Sequence, residues 1–256
     1  MKIGLKVWAS NKAYIKDAKK FIADGVCDFI EIYVNAECQA QDSLDWKGVS
    51  SKICLHAPHS YGGFNPGQPG LEKEKRAALE KVDVFRRELN PGYIIFHPGI
   101  EGAVEETIRQ YKVYKKDFPE VFALALIENK PKIGIGKEVC LGSSPAEIRQ
   151  IQEQLGFGFC LDVSHVICYA AWLKTPWRNI LEEFFKFKPQ MVHLCDGYVD
   201  SVKDTHLHLG RGNYDLRVVL EKVAENQWAT LETPHDFSDK LDDFQQDVVF
   251  LRKMMA

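Results

Sequence analysis

Short apolar runs rich in β-branched residues recur along the chain, and each is followed by a longer polar or amphipathic stretch. The runs lie at 2–8 (KIGLKVW), 27–34 (CDFIEIYV), 51–56 (SKICLH), 92–97 (GYIIFH), 122–128 (FALALIE), 156–162 (GFGFCLD), 190–196 (QMVHLCD) and 227–232 (QWATLE). Their length and composition predict eight strands. The intervening segments 11–24, 71–90, 101–117, 144–155, 177–187 and 215–226 carry helical periodicity, and 238–254 closes the chain with another. Ser144-Pro145 and Thr175-Pro176 have the chemistry of helix starts, and Asn90-Pro91-Gly92 and Gly156 that of returns from helix to strand. Strands alternating with helices imply right-handed βαβ units and a parallel sheet. Eight such units in 256 residues fit a (β/α)8 TIM barrel, read as a single α/β domain over 1–256. A doubly wound sheet is disfavoured, because no G-x-G-x-x-G follows the first strand. A long Gly/Pro-rich segment, SYGGFNPGQPG at 60–70, follows strand three on the face where barrel loops carry function.

Composition changes this picture little. The net charge of −3 advertises neither a nucleic-acid nor a membrane surface, although acidic ligands of a metal site would also lower it. Seven cysteines without a C-x-x-C pair argue against a disulfide framework and a cysteine zinc knuckle; Cys54, Cys160 and Cys195 sit in apolar runs as small buried thiols. The N-terminus lacks a signal-peptide core and no stretch approaches 18 apolar residues, so a cytoplasmic protein with no membrane partner is expected. No obligate protein partner is evident.

The chemistry lies at the strand ends. His56, His97 and Glu128 end strands three, four and five; Asp162 ends strand six, with His165 one turn beyond. His193 lies in strand seven, Asp204 and His206 in the loop after it, and Glu232 ends strand eight. Each has an ordinary alternative. A histidine can be structural, Glu128 can cap a helix or pair with Lys130, Asp162 can N-cap the next helix, and Glu232 can serve a turn. Nine independent accidents would not all choose the C-terminal mouth of one barrel, so a metal site is expected. Nine donors exceed the needs of one ion and suit two or three, an arrangement used for in-line displacement at phosphorus. The imidazole-rich set favours zinc; the carboxylates would also suit manganese or iron.

The motifs LHAPH (55–59), FHPG (96–99), IEN (127–129), CLDVSH (160–165), VHLCD (192–196), DTHLHLGRGNYD (204–215) and LETP (231–234) resemble, in order and spacing, those of the endonuclease IV family of abasic-site endonucleases. That family falls within the xylose isomerase-like TIM barrel superfamily. The resemblance runs from about residue 50 to the C-terminus. It implies three zinc ions: one held by His56, His97 and Glu128; a second by Glu128, Asp162, His193 and Glu232; a third by His165, Asp204 and His206. It further implies hydrolysis of DNA 5′ to an abasic site, with Glu128, and Glu232 as the other candidate base, serving the proton transfers. The abasic nucleotide would be flipped from the duplex.

Departures from the family concern DNA. The segment after strand two, NAECQAQDSLDWKG, is net acidic where the family carries a basic and aromatic loop; His59 stands where a tyrosine is usual; Arg211 replaces a glutamate between the last glycines. Candidate substrate contacts are Arg211, Tyr61 and Lys132, the last grouped with Lys130 and Lys137 after strand five; Phe64 shares the Tyr61 loop. The competing reading is a one-metal sugar isomerase or epimerase, using Glu128, Asp162, His193 and Glu232 on a small sugar substrate. A non-catalytic metal or DNA-end binding protein is a third. Asp204-x-His206 separates the first two, because sugar chemistry has little use for it. His208 shares the alternation of that pair and reads as structural, and Gly210 and Gly212 read as turn residues rather than a phosphate loop.

Overall fold

The computed structural model describes residues 1–255. Eight parallel strands, β1 (Lys2–Trp8), β2 (Phe29–Tyr33), β3 (Ile53–His56), β4 (Tyr93–Phe96), β5 (Ala125–Glu128), β6 (Gly158–Asp162), β7 (Met191–Leu194) and β8 (Trp228–Leu231), close in chain order, with β8 pairing back onto β1. Around them run α1 (Ile15–Ala23), α2 (Ala40–Trp46), α3 (Glu72–Leu89), α4 (Val104–Asp117), α5 (Pro119–Phe122), α6 (Pro145–Leu155), α7 (Val163–Leu173), α8 (Trp177–Phe185), α9 (Leu216–Leu220) and α10 (Asp242–Met255).

Local chemistry explains most boundaries. At α6 the Ser144 hydroxyl accepts from the Glu147 N–H while the Glu147 side chain returns to the Ser144 N–H, Pro145 opens the first turn, and Gly156 ends the helix in the left-handed region. Strand five is shorter than its apolar run, because the helical turn α5 that Pro119 starts takes in Phe122 and its exit turn takes Ala123 and Leu124. The expected helix 215–226 is helical only over Leu216–Leu220. The acidic segment after β2 contains α2, which its polar composition does not announce. There Asp42 accepts from the Gln39 N–H, Trp46 is fully buried, and its indole N–H donates to the Ala9 carbonyl at 2.8 Å.

The core has two parts. One lies between strands and helices; the other fills the lower barrel with Phe29, Cys54, Ile95, Leu126, Cys160 and Met191, closed by Tyr93 and Trp228. Complete burial of a side chain such as Phe29 contributes roughly 1.5–3 kcal/mol. Gly4 makes room for it: a Cβ there would lie 2.2 Å from a Phe29 ring carbon. All seven cysteines are free and buried. Among the described residues no helix is long and apolar enough to cross a membrane.

Candidate metal centre

Side chains on a strand alternate between faces, so the residues two positions beyond the lower-barrel plug also point inward. From Gly4 that phase reaches Lys6; from Phe29, Glu31; from Cys54, His56; from Ile95, His97; from Leu126, Glu128; from Cys160, Asp162; from Met191, His193. The register sets Lys6 beside Glu31 and Asp162 beside His193. One layer of the barrel interior is therefore apolar and the next, toward the C-terminal mouth, is almost wholly ionisable.

Glu128 is the hub of that layer. Its Oε2 lies 3.2 Å from His56 Nε2, 3.3 Å from His97 Nε2 and 3.5 Å from His193 Nδ1, and its Oε1 lies 3.3 Å from His165 Nδ1. His193 Nδ1 is also 2.8 Å from Glu232 Oε1 and 3.9 Å from Asp162 Oδ2. On the other flank Asp204 Oδ2 meets His165 Nε2 at 3.1 Å and His206 Nε2 at 2.5 Å, and His206 Nε2 is 3.7 Å from Glu232 Oε2. All nine donor residues of the sequence reading thus face one basin.

The imidazoles are held as ligands are held. His56 Nδ1 donates to the Ala57 carbonyl at 3.0 Å, His165 Nδ1 to the Asn129 carbonyl at 2.8 Å, and His193 Nε2 to Glu31 Oε2 at 3.0 Å. Fixing one ring nitrogen as a donor turns the other toward the basin, where loss of its proton to a metal would leave the lone pair free to ligate, the arrangement typical of metal-ligating histidine. The oxygens nearest the buried His193 Nδ1 and His206 Nε2 are Glu232 Oε1 at 2.8 Å and Asp204 Oδ2 at 2.5 Å, yet neither pair is aligned as a hydrogen bond, and a buried polar atom without a well-directed partner is destabilising unless something else engages it. Donor atoms of His56, His97 and Glu128 lie within 4.8 Å of one another, as do those of Asp162, His165 and His206. The residues fit divalent cations at more than one position.

The apo electrostatics reflect this crowding. Burial, only partly offset by His165, raises the Asp162 carboxyl to about 6. Burial opposes a charge on His165, but Asp162 and Asp204 more than compensate and hold the imidazole up to about 10. Burial likewise opposes ionisation of Glu31, yet His193 and Lys6 bring it down to about 2.

Lys6 and Glu31 were missed as site residues, and of the lysines expected to attract phosphate it is Lys130 that reaches the basin. Glu31 is fully buried; its Oε2 accepts from Thr230 Oγ1 at 2.7 Å as well as from His193, and its Oε1 lies 3.2 Å from Lys6 Nζ. Lys6 also contacts Glu232. Lys130 Nζ stands 3.5 Å from Glu128 Oε1. The signal was present as a charge inside otherwise apolar strands, KIGLKVW and FIEIY, but attention to strand ends passed over it.

Asp162 does both jobs considered for it: Oδ1 caps α7 by accepting from the His165 N–H at 2.8 Å, while Oδ2 faces His193. His208 turns away, its Nδ1 2.7 Å from Asp247 Oδ2 on α10. In the Gly-x-Gly that follows, the Gly210 and Arg211 N–H groups are engaged within the loop, by Asp196 and the His208 carbonyl. Asp196 Oδ1 accepts from the Gly197 and Tyr214 N–H groups and Oδ2 from that of Gly210, and a Cβ on Gly212 would strike the Gly197 carbonyl.

The candidate substrate contacts separate. Tyr61 is exposed at the mouth, whereas Phe64 is buried against Phe96, Tyr111 and Tyr114. Lys132 lies over the Trp172 ring, Lys137 is exposed in a turn, and Arg211 is exposed without lining either mouth cavity. A cavity of about 650 Å³ opens over the ligands between Trp8, Tyr33 and His235, with Lys6 and Lys130 in its wall. A second, of about 230 Å³, adjoins it beside Tyr61, Ile133 and Lys203.

A family model described as xylose isomerase-like TIM barrel matches residues 22–254. No curated protein sequence matches the chain. Among solved structures, the chain is similar to endonuclease IV from Thermus thermophilus (TM-score 0.74, 18% identity, covering 100% of this chain and 99% of that one). A D-tagatose 3-epimerase-like protein gives 0.71 at 19%, covering 100% and 97%. The TTHB071 protein of Thermus thermophilus, soaked with ZnCl2, gives 0.69 at 20%, covering 99% and 98%. At such identities the likeness is one of fold, and it reaches nucleases and epimerases alike.

Proposed function

The chain belongs to the xylose isomerase-like TIM barrel family, and on that footing we propose that it is a multi-metal phosphodiesterase resembling endonuclease IV, which incises DNA 5′ to an abasic site. One observation carries the reading: Asp204 and His206 close onto His165 and Glu232, adding a second group of donors beside His56, His97 and Glu128. Sugar isomerisation needs only the set Glu128, Asp162, His193 and Glu232 and leaves that second group without a task.

In this proposal His56, His97 and Glu128 hold one zinc ion, Glu128, Asp162, His193 and Glu232 a second, and His165, Asp204 and His206 a third; manganese and iron also suit the donors. Ions so placed would ease deprotonation of water and neutralise charge developing on phosphoryl oxygens. The chain's own residues do the rest. Glu128, central to the basin, takes up the proton of the attacking water, with Glu232 as the second base. Lys6 and Lys130, ammonium groups in the cavity wall, attract the phosphate. Tyr61 stands at the rim against the flanking nucleotide, and Arg211 and Lys132, outside both cavities, are left to contacts with the more distant backbone.

One observation favours the sugar alternative: Glu128, Asp162 and Glu232 all surround His193 Nδ1. Incubating zinc-loaded protein with an abasic-site duplex, and separately with ketoses, separates the two. Incision that His206→Ala abolishes is the expected result; ketose turnover without incision overturns it.

A further inference from the structure

The smaller cavity has a wall built for a purpose that the metal ligands do not share. The segment after β5 is a hairpin: Ile133 bridges Val139 in antiparallel fashion, the Gly134 N–H donates to the Glu138 carbonyl at 2.9 Å and the Cys140 N–H to that of Lys132 at 3.0 Å. It is tied to the loop after β4, where Ile100 bridges Cys140 and the Glu101 N–H donates to the Val139 carbonyl at 2.8 Å. Residues on such a strand alternate between faces. Lys132 accordingly turns outward onto Trp172, while Ile133 and Ile135 line the cavity with Ile100 and Pro131. Ile135 is 85% exposed, between two glycines at the tip. An isoleucine held in water on an ordered hairpin, beside a catalytic mouth, is an unpartnered apolar surface.

The cavity's other wall belongs to the metal centre itself, through His97, His165 and Asp204. His59 lies at the junction with its ring parallel to that of His97, at 6.1 Å and 11°. Lys130 and Lys203 are the cations of this cavity. An apolar slot, a phosphate-attracting pair and metal ligands therefore adjoin within one mouth. The volume of about 230 Å³ exceeds the roughly 150 Å³ in which an apolar cavity holds benzene. It admits a single or a fused ring. Polar groups, Tyr61, Glu138 and the two lysines among them, ring the cavity, and what favours a flat ring over a sugar is the contiguous apolar face of Ile100, Pro131, Ile133 and Ile135, against which hydroxyls would lose water.

We infer that this cavity is a specificity subsite for a planar aromatic or heteroaromatic group carried on the phosphate ester bound at the metal centre. The inference rests on the phosphoryl reading of that centre and deepens it. The flat ring enters between the Ile133–Ile135 face and the His59–His97 pair, while its phosphate meets Lys130 and the ligand basin.

The test compares phenylphosphonate with methylphosphonate, both titrated calorimetrically into the zinc-loaded full-length chain. Phenylphosphonate is expected to bind at least about ten-fold tighter, the change that roughly 60 Å² of newly buried apolar surface produces. Ile133→Asp should reduce the ratio to within about two-fold with zinc content unchanged. Ile135→Ser, at an exposed tip where folding is not at stake, should lower it part of the way. Equal affinities in the unaltered protein, or a preference that survives both variants, overturns the subsite. Should neither phosphonate bind, the phosphoryl reading falls, and indole then tests the cavity alone through the Ile133 and Ile135 methyl resonances. Shifts there keep the ring site, and their absence removes it.

Discussion

Replacing Glu31 with alanine should weaken metal binding without touching any proposed ligand. Glu31 Oε2 holds the His193 Nε2 proton at 3.0 Å and is itself held by Thr230 Oγ1 at 2.7 Å, all within a fully buried pocket. That contact fixes the imidazole so that Nδ1 faces Glu128, Asp162 and Glu232. Loss of such an outer partner typically costs 10–100-fold in metal affinity, or about 1.4–2.7 kcal/mol. The variant also strands the Thr230 hydroxyl, a folding penalty of about 1–3 kcal/mol that urea denaturation of the metal-free protein measures separately. Glu31→Gln keeps the volume and an oxygen able to accept from both partners, so its affinity should fall by less than about ten-fold. The assay is competition for zinc against a chromophoric chelator. Unchanged affinity in Glu31→Ala would refute the assignment of Glu31 as the residue that positions His193.

Two further outcomes follow from the interior. In the metal-free protein His165 keeps its proton up to about pH 10 and Asp162 up to about 6, whereas a bound metal requires both deprotonated. Zinc affinity should therefore climb with pH by up to ten-fold per unit between about 6 and 10, with proton release that calorimetry in buffers of different ionisation enthalpy counts; a flat profile would contradict it. Because the folded pKa of His165 is raised, its contribution to apo stability is complete below 6.5 and is lost as pH rises through about 10. At the barrel floor, Gly4→Ala places a methyl 2.2 Å from a Phe29 ring carbon. Overpacking of this kind should cost about 1–3 kcal/mol, and unaltered urea unfolding would show that the floor yields more easily than its packing suggests.

Much of the fold is legible in the chain because strand chemistry and helix punctuation agree there. Eight β-branched runs and signals such as Ser144-Pro145-x-Glu147 and Gly156 locate the elements within a few residues. The exceptions have local causes. Pro119 converts the start of an apolar run into helix, and α2 forms in a polar segment whose helix depends on burying Trp46. The donor residues could be named because strand ends in a parallel barrel share one mouth. Lys6 and Glu31 escaped notice because they lie a step below those ends, and their meaning depends on lateral register, which pairs them directly. The three lysines after β5 are alike in sequence; only the folded chain shows that Lys130, directly after the strand, enters the mouth, whereas Lys132, at the base of the hairpin, lies over Trp172.

The central claim is a basin for more than one ion, and elemental analysis of zinc-reconstituted, exhaustively dialysed protein tests it most directly, with Asp204→Ala as comparison. The account predicts two or three zinc ions per chain, and one fewer in the variant, since Asp204 joins His165 to His206. A single ion per chain that Asp204→Ala leaves in place would contradict it and return the site to its four innermost donors.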